Sequence, residues 1–143
     1  MFNFSIKCFI SAGTNEVLST QFFILNKGLN SGKPSLNPCP NCFIITTANE
    51  QEKEFLFWLC WGLWQSKKFQ FFLTGSVIPF IRLNEFKVFL KEQTAIAFAE
   101  KEQYQKNVKA LQKLEALEKN YKQNLLLIMD AKRAIFQRET ARR

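Results

Sequence analysis

Residues 54–64 read Glu-Phe-Leu-Phe-Trp-Leu-Cys-Trp-Gly-Leu-Trp, and their interpretation decides the fold. Apolar side chains fill nearly every position, with Trp58, Trp61 and Trp64 inside seven residues, so a helix built from them has no polar face to give to water. Charged residues bracket the run, Lys53 and Glu54 on one side and Lys67 and Lys68 on the other. That leaves it short of the roughly 18 residues that argue a membrane span. The expectation is a helix over about residues 51–73, buried against a sheet and anchored by its tryptophans, in a chain that does not cross a membrane.

Working outward, residues 2–10 alternate, with Phe2, Phe4, Ile6, Cys8 and Ile10 on one face of a strand. Ala12, Gly13, Thr14 and Asn15 supply a turn, after which residues 17–25 return to β-branched and aromatic usage and pair back as a hairpin. Residues 26–41 are a loop, punctuated by Gly28, Asn30, Gly32, Pro34, Pro38 and Pro40. Residues 43–47 form a short apolar strand, ended by Ala48 and Asn49 before an acidic helix start at residues 50–54. Past the tryptophan helix, Thr74, Gly75 and Ser76 make a break, and Pro79 restricts residues 77–82 to an edge strand or extended loop.

Beyond Asn84 there is no glycine or proline, and good helix formers dominate. A helical arm follows, with a break expected near residues 91–94. Leu114, Tyr121, Ile128 and Ile135 repeat every seven residues, flanked by Leu111, Leu117 and Leu125, so the arm wants a partner helix. Glu118, Asn124 and Lys132 interrupt that stripe. The fold class is therefore α+β: a small mixed sheet packed on a buried Trp-rich helix in a head over residues 1–83, then a long helical arm over residues 84–143.

Charge points to the partners. The 143 residues carry 20 Lys and Arg against 12 acids, a formal net charge of +8 that favours anionic partners. Histidine is absent and Asp130 is the only aspartate, which removes the commonest general base and the usual ligands of a two-metal nuclease. Ahead of residue 50 the only acid is Glu16. No catalytic constellation, cofactor site or small-molecule site emerges. With no signal peptide at the start, a reduced, cytoplasmic setting is expected for Cys8, Cys39, Cys42 and Cys60.

Several motifs carry both a functional and a plain reading. Cys39-Pro40-Asn41-Cys42 can be structural, half of a zinc site completed by Cys8 and Cys60 or by another protomer, or a redox pair. The plain reading has the stronger prior. Residues 28–34, Gly-Leu-Asn-Ser-Gly-Lys-Pro, resemble a phosphate loop, but the spacing is one residue short and Pro34 replaces the metal-binding hydroxyl. The loop can still offer backbone amides, Lys27 and Lys33 to a nucleic-acid phosphate. Phe69, Phe71 and Phe72, beside Lys67 and Lys68, are the aromatics best placed for a surface, while the tryptophans belong to the core. Lys132, Arg133, Arg138, Arg142 and Arg143 form a basic end that is either solvated or phosphate-binding.

From residue 42 to about residue 98 the chain resembles the C-terminal half of a target-recognition domain in specificity subunits of type I restriction-modification systems. The matching parts are the strand at residues 43–47, the helix at 54–63, the segment "TGSVIPFIRLNEFKVF" at 74–89, Gln93 and the helical arm. The chain also resembles an uncharacterised family from Bacteroidota and their mobile elements, marked by "GKPSLNPCPNCF" at residues 32–43 and "GSVIPFIR" at 75–82.

The first resemblance implies a non-catalytic duplex-DNA-binding module that dimerises through its arm, antiparallel, so that each head contacts half of a split site. It implies Lys27, Asn30, Lys33, Lys67, Lys68 and Arg82 as DNA contacts. Lysine supplies salt-dependent grip, and Asn30 or Arg82 reads a base edge. The rival expectation is a protein-interaction or regulatory subunit that offers its helix to another protein.

Overall fold

The computed structural model describes residues 2–9 and 17–140. Ile10, the turn at Ala12 to Asn15, Glu16, Arg142 and Arg143 lie outside the described residues. Strands β1 (Ser5–Cys8), β2 (Gln21–Leu25), β3 (Pro34–Ser35) and β4 (Cys42–Thr46) precede helix α1 (Glu50–Gln65). A 3₁₀ turn (Lys68–Phe72), β5 (Leu73–Thr74), β6 (Phe80–Ile81), α2 (Leu83–Ala99) and α3 (Lys101–Thr140) follow. The class is α+β.

The four-stranded sheet runs β1-β4-β2-β3 and is antiparallel at every pairing, not mixed. Parallel neighbours need a long crossover, commonly a helix, and among the described residues no helix intervenes before the sheet is complete. Nor do β1 and β2 pair as a hairpin. The fourth strand inserts between them, because Cys42, Phe43 and Ile45 are all buried and such a strand gains most with neighbours on both sides. Ile6, Ile45 and Phe22 lie in one row across β1, β4 and β2, with Phe43 beside Ile24 in the next, and this face meets the helices. Two-residue β3 starts with Pro34, and proline is tolerated there because the strand is an edge.

Asn49 starts α1 by accepting the Glu52 amide at 2.9 Å, and Glu50 and Glu52 favour the positive end of the helix dipole. Leu56, Leu59, Cys60 and Leu63 form the buried stripe. The tryptophans do not anchor the core as expected: Trp58, Trp61 and Trp64 are only half-buried, since they fall on the flank of that stripe. The helix also stops at Gln65 instead of reaching residue 73. Lys67 takes the left-handed conformation (φ 60°) that ends helices, and the chain turns sharply into the 3₁₀ segment.

That turn delivers Phe69 to the interior, where it meets Phe86 and Phe89 of α2 at centroid distances of 5.6 and 5.7 Å. Phe72 packs on Phe89 as well. Of the three phenylalanines expected at a surface, only Phe71 is exposed. Phe69 needs the space that Gly32 leaves. A Cβ on Gly32 would stand 2.2 Å from a Phe69 ring carbon, and Gly32 also has φ +99°.

Helix α2 belongs to the head's core through Phe86, Leu90, Thr94 and Ala97. It runs unbroken through residues 91–94, where Thr94 donates its hydroxyl to the Leu90 carbonyl and so stays within the helix. The interruption falls instead at Glu100, with φ −111° and ψ 46°. The chain divides into compact units at Tyr104 and Gln105, well beyond the boundary that composition placed at Asn84. Tyr104 itself is tied to the head, its hydroxyl donating to the Phe55 carbonyl. From Gln105 on, no residue of α3 is buried.

Gly32→Ala should cost about 3 kcal/mol, combining overpacking against Phe69 with a strained positive φ. Urea unfolding followed by circular dichroism checks this, and the cost should shrink markedly in a Phe69→Ala background, where the clash has no ring to meet.

Candidate nucleic-acid interface

Two stripes of different chemistry run along α1. The aliphatic stripe faces the sheet, and beside it Trp58, Trp61 and Trp64 form a ladder with successive centroid distances of 6.1 and 5.4 Å. Phe57 stacks on Trp61 at 6.0 Å. Lys33, exposed on the loop after β2, holds its Nζ 5.1 Å from the Trp64 ring centre and 6.0 Å from that of Trp61. A cation over the negative face of an indole is attracted by about 0.5–1 kcal/mol where water has access.

A cavity of about 140 Å³ adjoins the end of the ladder. Asn30 and Leu29 of the loop form one wall, Trp64 and Gln65 of α1 another, and Lys67 and Gln70 of the following turn a third. Lys67 reaches this place because its left-handed backbone reverses the chain there. A second cavity of about 400 Å³ lies at the other end of the ladder, by Phe57 and Trp58, and carries Glu50 and Glu54. Lys53 on that rim donates to the Ser19 carbonyl at 2.9 Å. Two carboxylates make this end hostile to a phosphate, so the basic cavity is the one that suits an anion.

The structure thus gathers Asn30, Lys33 and Lys67 around Trp64, with exposed Lys68 next in the chain. Lys27 and Arg82 form a second group. Lys27 bridges Phe80 of β6 through its backbone, and Arg82 lies two residues further on, immediately before the first residue of α2. Both side chains are exposed. Sequence reasoning missed Trp58, Trp61, Trp64, Gln65 and Gln70 as surface residues. A usable signal existed: within α1 the aliphatic residues and Cys60 share one stripe, and the largest aromatics gather beside it.

One expectation fails on geometry. The amides of residues 28–33 are not poised for a phosphate, because most are used inside the fold. Gly28 donates to the Pro79 carbonyl at 2.7 Å, Ser31 to Gly28 at 3.2 Å, Gly32 to Leu25 at 2.7 Å and Lys33 to Asn30 at 3.1 Å. The glycines serve turn geometry and the seat of Phe69.

The cysteine pair is compact. The Cys42 thiol donates to the Cys39 carbonyl at 2.9 Å, and burial, above all, pushes it up to about 12. Cys60 is wholly buried in the core and is pushed up by the same cause, as is Tyr104. All four cysteines are free thiols. Cys8 and Cys60 do not join the pair, and among the described residues no three Cys, Asp or Glu side chains gather as metal ligands. No helix among the described residues is long and apolar enough to cross a membrane.

A family described as a family of unknown function (DUF6943) matches residues 6–138, so the match takes in both the head and most of α3. No curated protein and no solved structure matches the chain.

The thiols give a signed expectation in pH. Their folded values lie above the ordinary one near 9.0, so their contribution to stability is present below about pH 9 and is lost as pH rises toward 12. Thermal melts from pH 7 to 10.5 should fall on the alkaline side, and Cys60→Ala, though less stable throughout, should fall less steeply. At pH 8 iodoacetamide should label exposed Cys8 well before Cys42, as read by mass spectrometry.

Proposed function

The chain belongs to that family of unknown function, DUF6943, and starting from this membership we propose that it is a non-catalytic DNA-binding module whose head grips duplex DNA and whose arm joins it to a partner helix. The observation that carries the reading is the cluster at the end of the tryptophan ladder. Lys33 and Lys67 flank Trp64 there, Asn30 lines the same cavity, and Lys68 adjoins it.

Lysines supply attraction to phosphates that weakens with salt, because each contact releases condensed counterions. Asn30 has the donor and acceptor that a base edge requires. Lys27 and Arg82, joined through β6, extend the basic surface as a second set of contacts. The order of strand, buried helix, turn and helical arm also supports the likeness to half of a type I restriction specificity subunit, a likeness of architecture. The reading sets the chain in the cytoplasm, where its free thiols stay reduced.

A second reading has its own observation. Helix α3 has no buried residue, so a protein-interaction subunit working through its arm accounts for the exposed seam without any DNA. DNA binding separates the two.

Fluorescence anisotropy on labelled duplex DNA should show affinity falling steeply with salt. A Lys67→Gly, Lys68→Gln double variant should lower the slope of log affinity against log salt by roughly 1.8, the value for two lost phosphate contacts. Glycine at residue 67 suits the left-handed backbone, so a loss of binding there is not a loss of fold. Absence of binding at low salt would remove the DNA reading and leave the arm-centred one.

A further inference from the structure

The turn that leads into β4 brings together two thiols of unequal access. Cys39 is half-exposed, while Cys42, at the first position of β4, is buried. The Cys42 thiol reaches back across Pro40 and Asn41 to the Cys39 carbonyl at 2.9 Å, and the Cys39 side chain is its hydrogen-bonding neighbour. Backbone bonds fix the turn in place. Asn26 donates to the Asn41 carbonyl at 3.0 Å, and Phe9 to the Cys42 carbonyl at 3.0 Å.

Strand geometry leaves Cys42 no other thiol of this chain to meet. Cys8 of β1 is paired with Phe43 and so shares that residue's face of the sheet, whereas Cys42, one position earlier, points to the opposite face. Cys60 packs with Phe43 and Ile45 on the helix-facing side. A closed zinc site therefore lacks two ligands within the chain, while a disulfide needs only the pair that the turn supplies. An accessible thiol with a second thiol shielded behind it is the arrangement of a two-cysteine redox sensor, in which the first meets the oxidant and the second resolves it. The burial that keeps Cys42 protonated also protects it from direct oxidation.

We propose that Cys39 and Cys42 form a reversible oxidation site, in which Cys39 reacts with a hydroperoxide and Cys42 closes an intrachain disulfide. The Cys39 thiolate attacks the terminal peroxide oxygen, the O–O bond breaks, and the departing alkoxide takes up the proton that Cys39 gave up. Cys39 is left as a sulfenic acid. The Cys42 sulfur then forms the S–S bond as the S–O bond breaks, and the leaving hydroxide takes the Cys42 proton to give water. Two electrons pass from the thiol pair to one hydroperoxide. The loop so closed is short, so the bond adds little stability and yields to thiol reductants, as a sensor in a reducing compartment requires. The site needs no partner and stands independently of the DNA reading.

Brief treatment of the full chain with hydrogen peroxide should remove two of its four thiols, read by alkylation and intact mass. The peptide carrying residues 39–42 should lose two hydrogens, and dithiothreitol should restore them. Cys39→Ser, a change at a half-exposed position, should keep the parent's circular dichroism and slow oxidation of Cys42 roughly tenfold or more. Cys42→Ser should instead accumulate a dimedone-reactive sulfenic acid at Cys39. A peptide that stays reduced while Cys8 is oxidised would overturn the proposal. So would a disulfide from Cys39 to Cys8 or to a second chain, or a Cys39→Ser chain in which Cys42 oxidises at the parent's rate.

Discussion

The seat of Phe69 against Gly32 is the contact on which the head depends. The ring occupies space that any other residue's Cβ would fill, and through it the loop after β2, the 3₁₀ turn and α2 share one interior. Burying a phenylalanine is worth on the order of 1.5–3 kcal/mol, but its larger effect here is positional. With Phe69 fixed, Lys67 must turn through the left-handed region, and the end of α1 is brought against Asn30 and Leu29.

The basic cavity follows from that constraint. Its walls come from three separate stretches of chain, and each is held by structural bonds, not by a ligand. Gly28 bonds to Pro79 and Ile81 to Asn26, so the loop is pinned to the β5–β6 hairpin while Gly32 is pinned to Leu25. Polar side chains are then left at the rim of a rigid frame.

Head and arm follow different physical rules. In the head, aromatic contacts link sheet, turn and α2 in series, from Phe43 to Phe86 to Phe69 to Phe89 to Phe72. In the arm, side chains beyond Glu115 remain exposed to the end of α3, and its stability as a helix rests there on local propensity and pairs such as Glu118 with Lys122.

The sequence by itself determined the classes of element: the strands around residues 21–25 and 42–46, a helix carrying the tryptophans, and a helical arm with a seven-residue repeat. Those features are local, set by periodicity, propensity and turn residues within a few positions. The charges of Lys27, Lys33, Lys67, Lys68 and Arg82 were legible as well, since charge belongs to the residue type, but it was the resemblance to restriction specificity subunits that singled them out, with Asn30, as candidate contacts. Only the tertiary structure decided that β4 divides β1 from β2, that Phe69 and not the tryptophans goes inside, and that α2 belongs to the head. Each of those outcomes depends on which of several equally apolar faces finds the best-fitting neighbour, and that competition is settled between residues far apart in the chain, by packing that no local pattern encodes.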